Sequence, residues 1–234
     1  MGAIFRREVS SYFISPIGYI FLAGFYCCTG VIFSQNSLQY GSTKLDAVFA
    51  DLILVLIVLI PILTMKTISE EKKQKTDQCL LTSPVSLGGI VVGKFLASFL
   101  IYALGVAITF VYAIVVSAYA KPDWNVIMGN IVGLLLLGSA YIAVGIFCSS
   151  LTENQIVAAV ISFFAMVGLY LLSTLGSLIP VEFIGKVFNS LCFWNRYYDF
   201  TLGLFNMSNV LFFISAAVAF LFLTVRVLEK RRWS

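Results

Sequence analysis

The residues able to do polar chemistry gather in one stretch, Lys66 to Ser86 (KTISEEKKQKTDQCLLTSPVS), which holds Lys66, Lys72, Lys73 and Lys75 beside Glu70, Glu71 and Asp77. Elsewhere such residues are sparse. Histidine is absent, which removes the commonest general base and metal ligand. The 5 cysteines, at 27, 28, 79, 148 and 192, show neither a disulfide framework nor a zinc spacing. An enzyme would need converging acid, base, nucleophile or metal groups, and no carboxylates pair within the apolar runs. The chemistry on offer is recognition: a charged, amphipathic segment that another molecule can grip.

The elements that hold this segment are lipid-length. With 60% hydrophobic and 11% charged residues over 234 positions, the chain reads as a polytopic membrane protein. About 20 apolar residues cross roughly 30 Å of hydrocarbon. Six runs qualify: 17–35, 47–65, 87–120, 124–148, 155–178 and 210–225. Bare backbone in lipid must form helices or a closed barrel, and period-two alternation is missing, so the expected fold is all-α. The first run starts late and lacks a small-residue cleavage site, so it is expected to stay in the membrane.

Orientation follows from the basic residues. If the N-terminus is cytoplasmic, that side holds eleven: Arg6, Arg7, Lys66, Lys72, Lys73, Lys75, Lys94, Arg226, Lys230, Arg231 and Arg232. The other side holds four: Lys44, Lys121, Lys186 and Arg196. Both termini and the 66–86 segment are therefore expected in the cytoplasm. Charges are costly at a helix centre, so Lys94 and Asp51 should lie near opposite interfaces. These two are the only ionisable residues on which an ATP-independent ion- or proton-driven carrier or channel, the alternative function, can draw.

Three segments flank the spans. Residues 1–15 place Phe5, Arg6, Arg7 and Glu8 among large apolar residues at helical spacing, which fits an interfacial helix or a basic terminus that only orients the chain. In 66–86, Thr67-Ile68-Ser69-Glu70 matches a capping box, Glu70 and Glu71 suit a first helical turn, and Leu80-Leu81 and Ser83-Pro84 make an apolar end and a stop. Ser86 would cap the third span. Spacing alone leaves a gripped helix and a solvated loop both open. Residues 179–209, with Glu182, Phe193, Trp194, Arg196 and Tyr197, are too aromatic for a free loop and fit a re-entrant hairpin or an aromatic belt. Gly129-x-x-x-Gly133 and Ser139-x-x-x-Ala143 in the fourth span allow close helix approach, including a dimer face.

Three stretches resemble the type-2 ABC transporter permeases, within the subfamily that contains the gliding-motility and nitrous-oxide-reductase-maturation permeases. Glu70 to Ser86 (EEKKQKTDQCLLTSPVS) is similar to that family's E-x-x-x-G-T-x-x-x-L-L-x-S-P-V-S coupling-helix pattern, with Lys75 where glycine is usual and Gln78 where an acid is common. Gly145 to Gln155 (GIFCSSLTENQ) is similar to its fourth-to-fifth span turn, and Val225 to Trp233 to the subfamily's C-terminus. The resemblance implies a bacterial cytoplasmic-membrane permease that works as an exporter or mechanotransmitter. Glu70, Glu71, Lys72, Lys73, Thr76, Leu80, Leu81 and Pro84 would form the coupling helix docked on a cytoplasmic dimer of ATP-binding subunits. Phe5 to Glu8 would belong to an elbow helix, and 179–209 to re-entrant helices closing the path. A Walker A pattern is absent from the sequence, so ATP and magnesium are expected in the partner subunit and no cofactor, metal or nucleic acid on this chain. The resemblance further implies a second permease chain, homodimeric or heterodimeric, membrane lipid around it and an extracytoplasmic accessory subunit.

Overall fold

The computed structural model describes residues 2–39, 45–76, 86–119, 124–177 and 182–233. Leu80, Leu81 and Pro84 of the charged segment lie outside these residues. So do Lys44 and Lys121 of the charge count and residues 179–181 of the aromatic segment. Every regular element among the described residues is helical.

The chain begins with α1 (Gly2–Ile14) and turns at Ser15 into α2 (Pro16–Phe33). The turn is local chemistry: Ser15 is extended, its hydroxyl accepts the Ile17 amide at 3.4 Å, and Pro16 opens the next helix where no amide is needed. A π-helical stretch, Ser34–Gln39, continues α2. Next come α3 (Asp46–Thr64), the short α4 (Ser69–Lys73) and α5 (Leu87–Val106), which Ser86 caps as expected by accepting the Gly89 amide at 3.3 Å. The third span is not one helix. It is interrupted at Ala107, after which α6 (Ile108–Tyr119) continues. The break follows Gly105, against whose face Phe21 and Phe25 of α2 pack; a Cβ there would sit 3.3 and 3.4 Å from their rings. The remaining helices are α7 (Trp124–Leu151), α8 (Gln155–Ser177), α9 (Glu182–Leu191), α10 (Phe193–Thr201) and α11 (Met207–Trp233).

Among the described residues, six helical runs are long and apolar enough to cross a membrane. They are not equivalent. The apolar windows of α7 and α3 are 72% and 61% buried within the chain, against 17% for α8 and for α11. The centre is thus an α3–α7 pair, filled by Phe49, Leu52, Leu56, Ile60 and Tyr141 and flanked by Phe21, Phe25 and Tyr102. Small residues on α7 set these distances. Gly138 lies against the Tyr102 ring of α5, whose hydroxyl donates to the Leu134 carbonyl at 2.6 Å, and Gly145 lies against Thr64 of α3. Gly133 receives Phe200 of α10, with only 2.6 Å between that Cβ and a Cβ added to the glycine. Gly129 faces Phe200 and Gly203. The glycine pair expected to allow a dimer face is therefore occupied from within the chain, because a flat helical surface suits an aromatic from α10 as well as a second helix.

Candidate functional site

At the end of the bundle where α3 finishes and α5 begins, α1 lies across both. Lys94 is the only charge in α5 and is 2% exposed. A buried ammonium needs all three of its protons accepted. Here Glu8 Oε1 of α1 lies at 3.1 Å, Glu71 Oε1 of α4 at 2.9 Å and the Thr67 carbonyl at 2.8 Å. Arg7 closes the figure, donating from Nη2 to the same two carboxylate oxygens at 2.6 and 2.8 Å. Two cations and two anions alternate in a neutral ring that ties α1, α4 and α5 together. The hydrogen bond to Glu8 is the main reason the Arg7 pKa is raised above its ordinary value, against desolvation. Tyr12, one α1 turn further on, reaches the Ser98 hydroxyl at 2.8 Å, the Leu63 carbonyl at 3.2 Å and Thr67 Oγ1 at 3.4 Å. Burial pushes that phenol up and keeps it protonated. The ring residues themselves line a cleft of about 400 Å³ between α1 and α4, edged by Ser11, Ser15, Lys66 and Glu70.

The start of α4 corrects the capping-box expectation. Ile68 stands at the cap position and no side chain of the segment itself caps the helix. Instead Ser149, at the far end of α7, accepts the Ile68 and Ser69 amides at 3.2 and 3.1 Å and donates to the Met65 carbonyl at 3.1 Å. The orphan amides of a helix start are thus satisfied from about eighty residues away. Thr67, freed from capping, turns to Tyr12. Lys72 is buried, its ammonium bound to the Ser150 carbonyl. At its other end α4 closes in a Schellman motif: the Lys75 amide bonds the Lys72 carbonyl at 3.1 Å and the Thr76 amide the Glu71 carbonyl at 3.0 Å. Lys75 has φ +56°, the left-handed position that favours glycine. The departure from the family pattern at this residue is thus a backbone conformation that glycine would hold without strain.

The predicted coupling residues divide. Glu71 and Lys72 face inward, onto the ring and the α7 end. Glu70 is half-buried, 3.8 Å from Lys66, while Lys73, Gln74, Lys75 and Thr76 are exposed. Phe5 packs against the core and Arg6 points out. Ser149, Tyr12 and Lys94 were not singled out by sequence reasoning as members of one site. The signals available were a lone lysine in an apolar helix and the Ser149-Ser150 pair inside a recognisable turn.

The opposite end is built differently. Phe193 stacks on Tyr141 of α7 at 5.5 Å and meets Phe212 and Phe213 of α11 edge-on, while Trp194 meets Tyr170 of α8 at 5.6 Å. Tyr197 is fully buried and donates to the Phe49 carbonyl of α3 at 2.8 Å. Arg196 bonds Asn209 at 3.0 Å, which in turn donates to Asp199 at 2.7 Å, and its guanidinium lies over Phe212. The side chain of Glu182 lies outside the described residues. Asp51, near the start of α3, is exposed and accepts from Asn36 at 3.0 Å. Lys94 and Asp51 thus sit toward opposite ends of the bundle.

No match is found among curated proteins. A family model described as ABC-2 family transporter protein matches residues 29–233, leaving α1 and most of α2 outside. The match takes in α4, Lys94, the Ser149 turn and the whole aromatic end. Spanning most of the sequence and all but the first of the six apolar runs in full, it shows that the chain belongs to the ABC-2 family of transporter proteins.

Proposed function

We propose that this chain is the permease subunit of an ATP-driven ABC-2 complex, an exporter or mechanotransmitter of the gliding-motility and nitrous-oxide-reductase-maturation type, in a bacterial cytoplasmic membrane. The observation that carries the proposal is α4. It is a five-residue helix held on one side by the charge ring and on the other by Ser149, with Lys73 to Thr76 turned outward. A freely solvated loop would not be anchored in this way. A short helix fixed to the ends of several spans is what a partner must push against if its motion is to move those spans. The lysine and arginine bias supports a cytoplasmic position for this end and for both termini.

The partner is an ABC ATP-binding dimer, which carries ATP and magnesium. This chain contributes the handle and no catalytic group. A second permease chain completes the path, α1 acts as the elbow helix, and α9 and α10 form a re-entrant closure on the outer side, where an accessory subunit would dock. The test is co-purification with the ATP-binding subunit after Lys73→Glu and Lys75→Glu together, and separately after Leu80→Ala with Leu81→Ala. Loss of the ATPase with normal membrane insertion is expected; full retention in both variants overturns the assignment of the segment.

A further inference from the structure

Ser149 joins α7 to the turn between α3 and α4, not merely to α4. Its hydroxyl uses both lone-pair directions and its proton on Ile68, Ser69 and Met65, and it is fully buried. One turn back along α7, Gly145 lets Thr64 of α3 approach so closely that any side chain would collide with it. The ends of α3 and α7 are locked as a pair beside the coupling helix.

The far ends of the same two helices are bridged again, by α10. Tyr197 bonds the Phe49 carbonyl of α3, while Phe193 stacks on Tyr141 and Phe200 fills the notch at Gly133, both on α7. Sixteen residues of continuous helix separate Ser149 from Gly133, roughly 24 Å at 1.5 Å per residue. We infer that α3 and α7 act as one lever between the coupling helix and the α10 closure, and that Ser149 is the positioning residue that makes them move together. The inference rests on the coupling role proposed above. Without Ser149, displacement of α4 would reach α3 through the chain but would carry α7 less directly, through the Lys72 bond to the Ser150 carbonyl, and α10 would be pulled unevenly by the two helices. The charge ring does not supply this route, since it ties α4 to α1 and α5.

The test uses the permease with its ATP-binding subunit in lipid nanodiscs. Leu202→Cys, at an exposed position just after α10, carries an environment-sensitive fluorophore in a background with Cys27, Cys28 and Cys79 replaced by serine. ATP trapped with vanadate is expected to shift the emission when Ser149 is present. In Ser149→Ala the complex still assembles, but the nucleotide concentration giving half the shift rises roughly tenfold or more, or the shift is lost, because three bonds of ordinary strength are removed. Ser150→Ala is the control, since that hydroxyl bonds only the Phe147 carbonyl of its own helix; it is expected to respond as wild type. An unaltered response in Ser149→Ala overturns the inference, as does equal damage from Ser150→Ala. If the wild-type complex assembles but shows no shift, the lever is wrong. If no ATP-binding subunit associates, it is the coupling reading that fails.

Discussion

The two ends of the bundle solve the same problem, fixing a short helix across the mouths of several spans, with opposite materials. At the α4 end the fixing is done by charge and hydrogen bonds: Arg7, Glu8, Glu71 and Lys94 in a ring, and Ser149 beneath the helix start. At the α10 end it is done mainly by shape, with Phe193 and Phe200 set against Tyr141 and Gly133, a buried hydroxyl bond from Tyr197, and Arg196 and Asp199 both bonded to Asn209 of α11 at the edge. Bonds to charged groups are strong and have defined geometry, whereas aromatic packing gains chiefly from the area it buries. The handle role proposed for α4 suits the first, and the closure role proposed for α10 suits the second. The comparison is open to attack at each end.

The largest effect is expected from Lys94→Met. It leaves Glu8 and Glu71 facing each other with only Arg7 between them, and uncompensated charge in a buried pair costs about 3–5 kcal/mol. Lys94→Met combined with Glu71→Gln should recover much of that loss, because one orphaned charge goes with the lysine. Thermal unfolding in detergent of the two variants measures this. If the double variant is no more stable than the single, the ring is not acting as one electrostatic unit.

Gly133→Val attacks the other end. Its side chain would collide with Phe200 and lift α10 from the notch, and overpacking of this kind costs about 1–3 kcal/mol. The loss should change less with salt than that of Lys94→Met, since the collision itself involves no charge and only the Arg196 and Asp199 bonds to Asn209 would follow α10. The Lys94→Met loss should shrink as salt screens Glu8 and Glu71, which remain partly accessible, with 13% and 19% of their side chains exposed. Melting curves of both variants at two salt concentrations separate these behaviours.

How far each end was legible follows from the same contrast. Helix and span positions are visible because lipid demands long apolar runs, and the Ser15-Pro16 and Ser86 boundaries because caps act locally. Lys94 stood out as a lone charge, yet nothing local names Glu8, eighty-six residues away, as its partner. Thr67 looked like a cap by spacing, but a buried serine on α7 was better placed to satisfy those amides. The glycine pair on α7 was readable as a close-approach surface, though not as the seat of α10. Periodicity reports which face is flat and says nothing of what arrives there.

A gain of about 1 kcal/mol is expected from Lys75→Gly, because a left-handed residue other than glycine costs about 1–2 kcal/mol, partly offset by the greater freedom of glycine in the unfolded chain. Amide exchange at Thr76, whose N–H closes the Schellman motif, should slow by a factor of several. Unchanged or faster exchange would mean that Lys75 is held by something other than backbone geometry.

The smallest effect tests whether charge matters at this end for being charge or for being enclosed. Arg226 and Glu229 form an ion pair at 2.8 Å one turn apart on α11, as short as the Arg7–Glu71 contact, with side-chain exposures of 62% and 39%. Glu229→Gln removes the pair while leaving Arg226 its contact over the Phe222 ring. An exposed pair at this spacing stabilises a helix by only about 0.2–0.5 kcal/mol. The melting temperature should therefore fall by barely more than the error of the measurement, and less still in high salt. A loss approaching that of Lys94→Met would show that proximity of opposite charges, without burial between three elements, is enough to hold this end together, and the distinction drawn between the two ends would then lie in composition alone.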